Sequence, residues 1–236
     1  MKNLKGKVAY ITGGSKGIGY GIAAQLLGEG MKVAISGRNR KDLDKAVAGL
    51  GKEGVLGLVS DVCHLSDEQD AIARILDHWG QIDVVVANAG VGHFAPIDEL
   101  ETAAWKQMID TNLNGVYHTL KAALPALKKS RGYYITIASL AGTNFFARGA
   151  GYNATKFGVV GFTQAVMLDL RPHDIKVSTI MPGSVATYFN DHVPGDADAW
   201  KIQPEDIGML VVDLLKMHPR TLPSKIEVRP TRPDLK

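Results

Sequence analysis

The chain has 236 residues, 45% of them hydrophobic and 22% charged, and 27 basic against 24 acidic side chains leave a formal net charge of +3. That balance offers no strong field to nucleic acid, and no run of like charges marks a tail for acidic partners. The length suits one domain whose core needs no staples, and the single cysteine, Cys63, fits a reducing, cytoplasmic setting.

Glycines interrupt the N-terminal stretch MKNLKGKVAYITGG before any signal-peptide run can form, and no segment reaches membrane-span length, so no membrane is expected as a partner. The first strand, KVAYI (7–11), runs into TGGSKGIG (12–19) and a helix over about 17–29. Gly13, Gly17 and Gly19 stand in a G-x-x-x-G-x-G spacing, a variant of the dinucleotide fingerprint. Glycines there allow a tight turn and close backbone approach to a pyrophosphate, and the helix start offers free N–H groups. A glycine turn can serve packing alone, but its place between strand and helix points to nucleotide binding.

A second strand, KVAIS (32–36), precedes a helix over 40–50. At its end, ISGRNR (35–40) has Ser36, Gly37 and Arg38 where NAD-preferring sites carry an Asp or Glu, and no carboxylate follows until Asp42. This removes repulsion against a 2′-phosphate, and an arginine fork suits that dianion. The third strand, GVLGLVS (54–60), is followed by Asp61 and a helix over 66–79. That helix opens with SDEQ, whose Ser66 and Gln69 match a capping box. The fourth strand, IDVVVAN (82–88), ends in NAG (88–90), whose small residues let a ligand approach the backbone. His93 and Phe94 come next and are candidates for lining a pocket, whereas His118 on the following helix reads as structural.

That helix spans 101–129, with Pro125 expected to bend or break it. Then come YYITIAS (133–139), a helix over 151–170, IKVSTIM (175–181), a polar connection over 184–203, a helix over 204–217 and SKIEV (224–228). Near-continuous Val/Ile runs mark strands buried on both faces. The pattern predicts a doubly wound α/β fold, a parallel sheet of about seven strands with helices on both faces, in a single domain over 1–236. The 184–203 connection is then placed to cover a site at the strands' carboxyl ends. No His/Cys/Asp/Glu cluster has metal-ligand spacing, so no catalytic metal is expected.

In YNATKFG (152–158), Tyr152 and Lys156 are one helical turn apart. Alone, such a pair is usually two surface neighbours. A proton donor to a nascent alkoxide gives it another reading. A tyrosine titrates near ~10, and bringing it to ~7 needs about 4 kcal/mol. A unit charge about 4 Å away at an effective dielectric of ~20 supplies roughly that.

In order and spacing, TGGSKGIG (12–19), DV (61–62), NAG (88–90), NLNG (112–115), Ser139, YNATK (152–156) and PG (182–183) resemble a single-domain short-chain dehydrogenase/reductase over nearly the whole chain. The resemblance implies a catalytic tetrad of Asn112, Ser139, Tyr152 and Lys156, with Ser139 bonding the substrate oxygen and Asn112 ordering a relay water. It implies cofactor contacts from Gly13, Ser15, Lys16, Gly17, Ile18 and Gly19 at the turn, and from Arg38 with Lys16 at the 2′-phosphate. Asp61 would meet the adenine and Asn88 a ribose, with Val62, Ala89 and Gly90 among the cofactor contacts. Tyr152 and Lys156 with Pro182, Gly183, Val185 and Thr187 would hold the nicotinamide end, Thr187 at its carboxamide.

The chain departs from the family pattern at Ala87, often a second Asn, and in its ending SKIEVRPTRPDLK. That ending looks more like members reducing small hydroxy-acid precursors or sepiapterin-like carbonyls than like acyl-carrier-protein reductases. The resulting expectation is an NADPH-dependent reductase of small ketones or aldehydes. Its rivals are an NAD-linked alcohol dehydrogenase and a nucleotide-binding protein without turnover. The loop from Tyr188 to Gln203, short and containing Pro194 and Gly195, is expected to leave the site open. Phe157, Val160, Gly161 and Leu168 form a second apolar face on the 151–170 helix. Similar proteins pair this helix and the preceding one across a twofold axis, implying a homodimer or homotetramer.

Overall fold

The computed structural model describes residues 3–51 and 53–232; the ends of two stretches quoted above, residues 1–2 and 233–236, lie outside the described residues. One sheet organises it. The strands are β1 (Val8–Thr12), β2 (Lys32–Gly37), β3 (Val55–Val59), β4 (Val84–Ala87), β5 (Tyr133–Ile137), β6 (Lys176–Pro182) and β7 (Lys225–Val228). They lie in the order β3-β2-β1-β4-β5-β6-β7, every neighbouring pair parallel. The helices are α1 (Gly17–Gly28), α2 (Arg40–Leu50), α3 (Leu65–Trp79), α4 (Thr102–Ile109), α5 (Gly115–Ser130), α6 (Ala150–Leu170) and α7 (Pro204–Lys216). This is the doubly wound Rossmann arrangement, with its crevice where β1 and β4 separate the two halves.

Alternation within β1 shows how the sequence fills both faces. Ala9 and Ile11 join a core with Ile22 and Leu26 of α1, Leu43 of α2 and Ile207 of α7. Val8 and Tyr10 point the other way, into a core with Ile72 of α3, Ala123 of α5 and Val159 of α6. Both cores exclude water from the central strands, which explains their lack of polar alternation. On the first face, α1 and α7 approach at backbone distance. A Cβ on Gly21 would lie 2.5 Å from the Pro204 backbone, and one on Gly208 2.7 Å from Gly21 O.

Three local expectations fail. The helix expected over 101–129 is interrupted at Asp110–Asn114, which forms a π-helical segment between α4 and α5. Pro125 sits inside α5 without ending it. Its ring is exposed while Ala126 and Leu127 beside it are buried, so the carbonyl one turn back faces solvent and the buried stripe holds the helix. α3 begins at Leu65, so Ser66 is not its cap and the capping box is absent. No side chain caps the helix at His64; the Asp67 carboxylate reaches back to accept the Asp61 N–H at 3.1 Å. On α6, Val160 turns inward against Gly142 and the second core, while Phe157, Gly161 and Leu168 remain outside.

Candidate active site

The site forms along the carboxyl ends of β1, β4, β5 and β6. Thr12, at the end of β1, accepts the N–H groups of Asn88 and Ala89 on its hydroxyl at 3.0 and 3.1 Å, joining the two halves of the sheet. The chain then turns through Gly13 and Gly17, whose φ of +65° and +58° favour glycine. Gly19 has no room for a side chain, since a Cβ would lie 2.6 Å from Asn88 Nδ2. Gly14, which the motif spacing did not single out, is equally confined against Ile35. Lys16 precedes α1 without any side-chain cap, so the first N–H groups of that helix face outward for an anion. Ser15 lies beside Gly37, Ile18 packs on the first core, and Lys16 and Arg38 are exposed. A turn closed to side chains, leading to an uncapped helix start, fits a pyrophosphate.

Neighbouring strand ends supply the rest of the groove. Burial pushes the Asp61 carboxyl up, but the Cys63 N–H at 3.0 Å and the Arg38 charge outweigh it and hold it below the usual range. Val62 is buried, its side chain against Gly115 and its carbonyl against His118 Nδ1 at 2.9 Å. His118 is therefore structural, as its position suggested. Asn88 donates its amide to Thr12 O and Gly13 O at 2.8 and 3.1 Å, so this nitrogen secures the glycine turn instead of facing out toward a ribose. Gly90 is bare on the side of Asn112 Oδ1 and Lys156 Nζ, where a Cβ would lie 3.4 and 3.7 Å from them. Pro182 and Gly183 close β6 beside β7, with Gly183 N–H bonded to Val228 O at 2.8 Å. Val185 bridges to Ile202 across the 184–203 connection, and Thr187 comes over the open face of Gly17.

The four residues implied as a tetrad come from three parts of the fold. Asn112 lies in the π segment, where the extra residue in the turn redirects its side chain. Its carboxamide pairs with both Val91 backbone groups at 2.8 Å and reaches Thr155 Oγ1 at 3.1 Å. Ser139 precedes a short turn at the end of β5, its Oγ accepting Ala141 N–H at 3.1 Å and its hydroxyl facing the Tyr152 phenol. Tyr152 and Lys156 share a face of α6. Asn153, between them, donates to Ala141 O at 2.7 Å and Asn144 O at 2.8 Å, tying the Ser139 segment to α6. Sequence reading missed this role because both carbonyls belong to another element.

The electrostatics differ from expectation. Lys156 Nζ is bonded to Ile137 O at 3.0 Å and lies 5.6 Å from the Tyr152 ring centre. Burial brings its ammonium down to about 8. Burial also pushes the Tyr152 phenol up to about 12, against a downward pull from the Ser139 hydroxyl. Desolvation of the phenolate thus outweighs that pull. In the covering loop, Phe189 lies 5.6 Å from the Tyr152 ring centre, and Phe94 meets that ring edge-on at 5.4 Å. His93 Nε2 is paired with Gln107 Oε1 at 2.8 Å.

A family model described as short chain dehydrogenase matches residues 7–197. The chain belongs to the short-chain dehydrogenases. An uncharacterized oxidoreductase of Staphylococcus saprophyticus is 33% identical over 98% of this chain and all of its own. Among solved short-chain folds, an alcohol dehydrogenase from the archaeon Thermococcus sibiricus, complexed with 5-hydroxy-NADP, is 32% identical over 98% of this chain and 100% of its own, with a TM-score of 0.91. A 3-ketoacyl-(acyl-carrier-protein) reductase from Brucella melitensis, complexed with NADH, is 26% identical over 98% of this chain and 99% of its own, with a TM-score of 0.89. As a short-chain dehydrogenase the protein is an oxidoreductase of a family that uses nicotinamide cofactors. Among the described residues, no helix is long and apolar enough to cross a membrane, and no group of three His, Cys, Asp or Glu could hold a metal ion.

Proposed function

We propose that the protein is a cytoplasmic, NADPH-dependent carbonyl reductase, acting on a small ketone or aldehyde with Tyr152 as proton donor. The observation that carries this reading is the meeting of Ser139, Tyr152 and Lys156 beside the glycine turn, with Asn153 tying the Ser139 segment to α6 and Lys156 Nζ held by Ile137 O at 3.0 Å. Burial pushes the Tyr152 phenol up to about 12. A phenol held that high stays protonated through the neutral range. It has a proton to give to a forming alkoxide, and by microscopic reversibility the same group would serve the reverse oxidation.

When bound, the dihydronicotinamide supplies the hydride. Gly13, Gly17 and the start of α1 would hold its pyrophosphate, and Lys156 its ribose hydroxyls. Ser139, its Oγ already accepting from Ala141, directs its proton to the substrate oxygen and stabilises charge forming there. Asn112 keeps Val91 and Thr155 in register beside the reacting groups. The preference for NADPH rests on Arg38 and Lys16 and on the missing carboxylate after β2. The NADP analogue in the Thermococcus enzyme supports it, while NADH in the Brucella reductase means that the fold does not decide the matter.

The test is NADPH oxidation by the purified protein with a panel of small ketones and aldehydes. Tyr152→Phe should lower turnover by at least about a hundredfold while NADPH binding, read by fluorescence, survives. Near-parental turnover in that variant would end this reading, and no oxidation with any carbonyl would favour a binding protein without turnover.

A further inference from the structure

Tyr152 is also part of an aromatic cluster that hydride chemistry does not require. Phe94, after β4, lies 5.4 Å from it; Phe189, after β6, lies 5.6 Å from it and 6.3 Å from Phe94. Phe146, just before α6, meets Phe94 edge-on at 5.7 Å. The rings come from four separate stretches of chain, so no single amphipathic pattern explains their meeting. Nor do they form a sealed core: Phe146 is 48% exposed, and Phe94, Phe189 and Tyr152 are half-buried.

Glycines seat these rings. A Cβ on Gly92 would collide with the Phe189 ring and crowd Phe94, and one on Gly149 would lie 2.5 Å from Phe146. Several groups nearby are engaged elsewhere, while Arg148, two residues after Phe146, is exposed. In the covering loop, His192 and Lys201 both hold Asp198 at 2.6 Å, and His93 is paired with Gln107. Among the described residues, the only cation stacked on these rings is Lys156. An aromatic ring laid on this cluster would find both edges and faces to meet.

We infer that the substrate is a ketone or aldehyde bearing an aryl group, with the ring packed against the exposed side of the Phe94, Phe146 and Phe189 cluster and the carbonyl directed to Ser139 and Tyr152. This rests on the carbonyl-reductase reading. In the step, the carbonyl carbon takes a hydride from NADPH, and the C=O π pair moves onto oxygen. That oxygen takes the Tyr152 proton, giving an aryl alcohol and NADP+.

The experiment compares acetophenone, butanone and pyruvate under NADPH, together with calorimetric binding of 1-phenylethanol and 2-butanol to the protein saturated with NADP+. Acetophenone should exceed butanone and pyruvate in kcat/KM by at least tenfold, mostly through KM. 1-Phenylethanol should bind more tightly than 2-butanol. Phe94→Leu and Phe189→Leu keep apolar bulk and should each reduce the aryl preference about two- to tenfold in both measurements. Gly92→Ala, which displaces the Phe189 ring, should raise KM for acetophenone more than for butanone. Equal or reversed preference between acetophenone and butanone overturns the aryl assignment while leaving the reductase reading intact. Tight 1-phenylethanol binding without NADPH oxidation by any carbonyl overturns the reductase reading and keeps the aromatic site.

Discussion

Lys156 is asked to be both buried and charged, and the two demands conflict. With its ammonium at about 8, it carries charge at neutral pH and loses it just above. The phenol at about 12 stays protonated throughout. Reductive kcat/KM should therefore be level near neutrality and fall as pH rises through about 8; a profile flat to pH 10 would contradict this. The same burial costs stability. The unfolded lysine keeps its proton up to ~10.4, so between about 8 and that value the unfolded chain binds more protons and stability from this residue rises with pH. Lys156→Met should lose turnover yet gain about 2 kcal/mol at pH 7, after allowing for the lost bond to Ile137 O, with the gain fading by about pH 10 in thermal melts. At the other end of the groove, a Cβ on Gly37 would make ordinary contacts with Ser15 Oγ at 3.6 Å and Leu43 at 3.7 Å, so Asp is tolerated there. Gly37→Asp with Arg38→Leu should shift the NADPH/NADH ratio of kcat/KM by at least tenfold toward NADH, because a charge-assisted bond of about 1.5–3 kcal/mol is lost. Equal efficiency with both cofactors in the parent would remove the basis of that design.

Elements were legible where their cause is local. The alternation of strands and helices, the glycine turn and the Tyr152–Lys156 spacing all depend on neighbours within one or two turns, and the sheet and α6 follow from them. The π segment at Asp110–Asn114 was hidden because tertiary pairing helps hold it: the Asn112 carboxamide is fixed by Val91, in a different part of the chain. Pro125 misled for the complementary reason, since its effect depends on which side of α5 meets water. Asn153 joins α6 to the Ser139 segment through two buried or part-buried bonds. Asn153→Ala would leave the Ala141 and Asn144 carbonyls without that donor. It should destabilise the fold by about 2–4 kcal/mol by denaturant unfolding and raise KM by loosening Ser139. A variant with parental stability and KM would show that the segment is held by other contacts.

For the molecule as a whole, the two cores leave a third apolar surface over. Phe157 is 41% exposed and Leu168 56% on α6, with Tyr117 at 46% on α5 and Trp105 at 38% on α4. That distribution suits the twofold pairing expected from the family resemblance. Light scattering at micromolar concentration should give a homodimer or homotetramer, and Phe157→Lys with Leu168→Lys should lower the mass; a parental monomer would count decisively against assembly through this face. The contact between α1 and α7 has a consequence during synthesis. Lys216 and Glu29, whose ion pair ties the ends of these helices, are 187 residues apart. At about 5–20 residues per second, translation delivers α7 some 10–40 s after α1 has been made. Through that interval the glycine-lined side of α1 has no helix against it, and the nascent N-terminal half presents a surface for chaperones that vanishes only when the last helix leaves the ribosome.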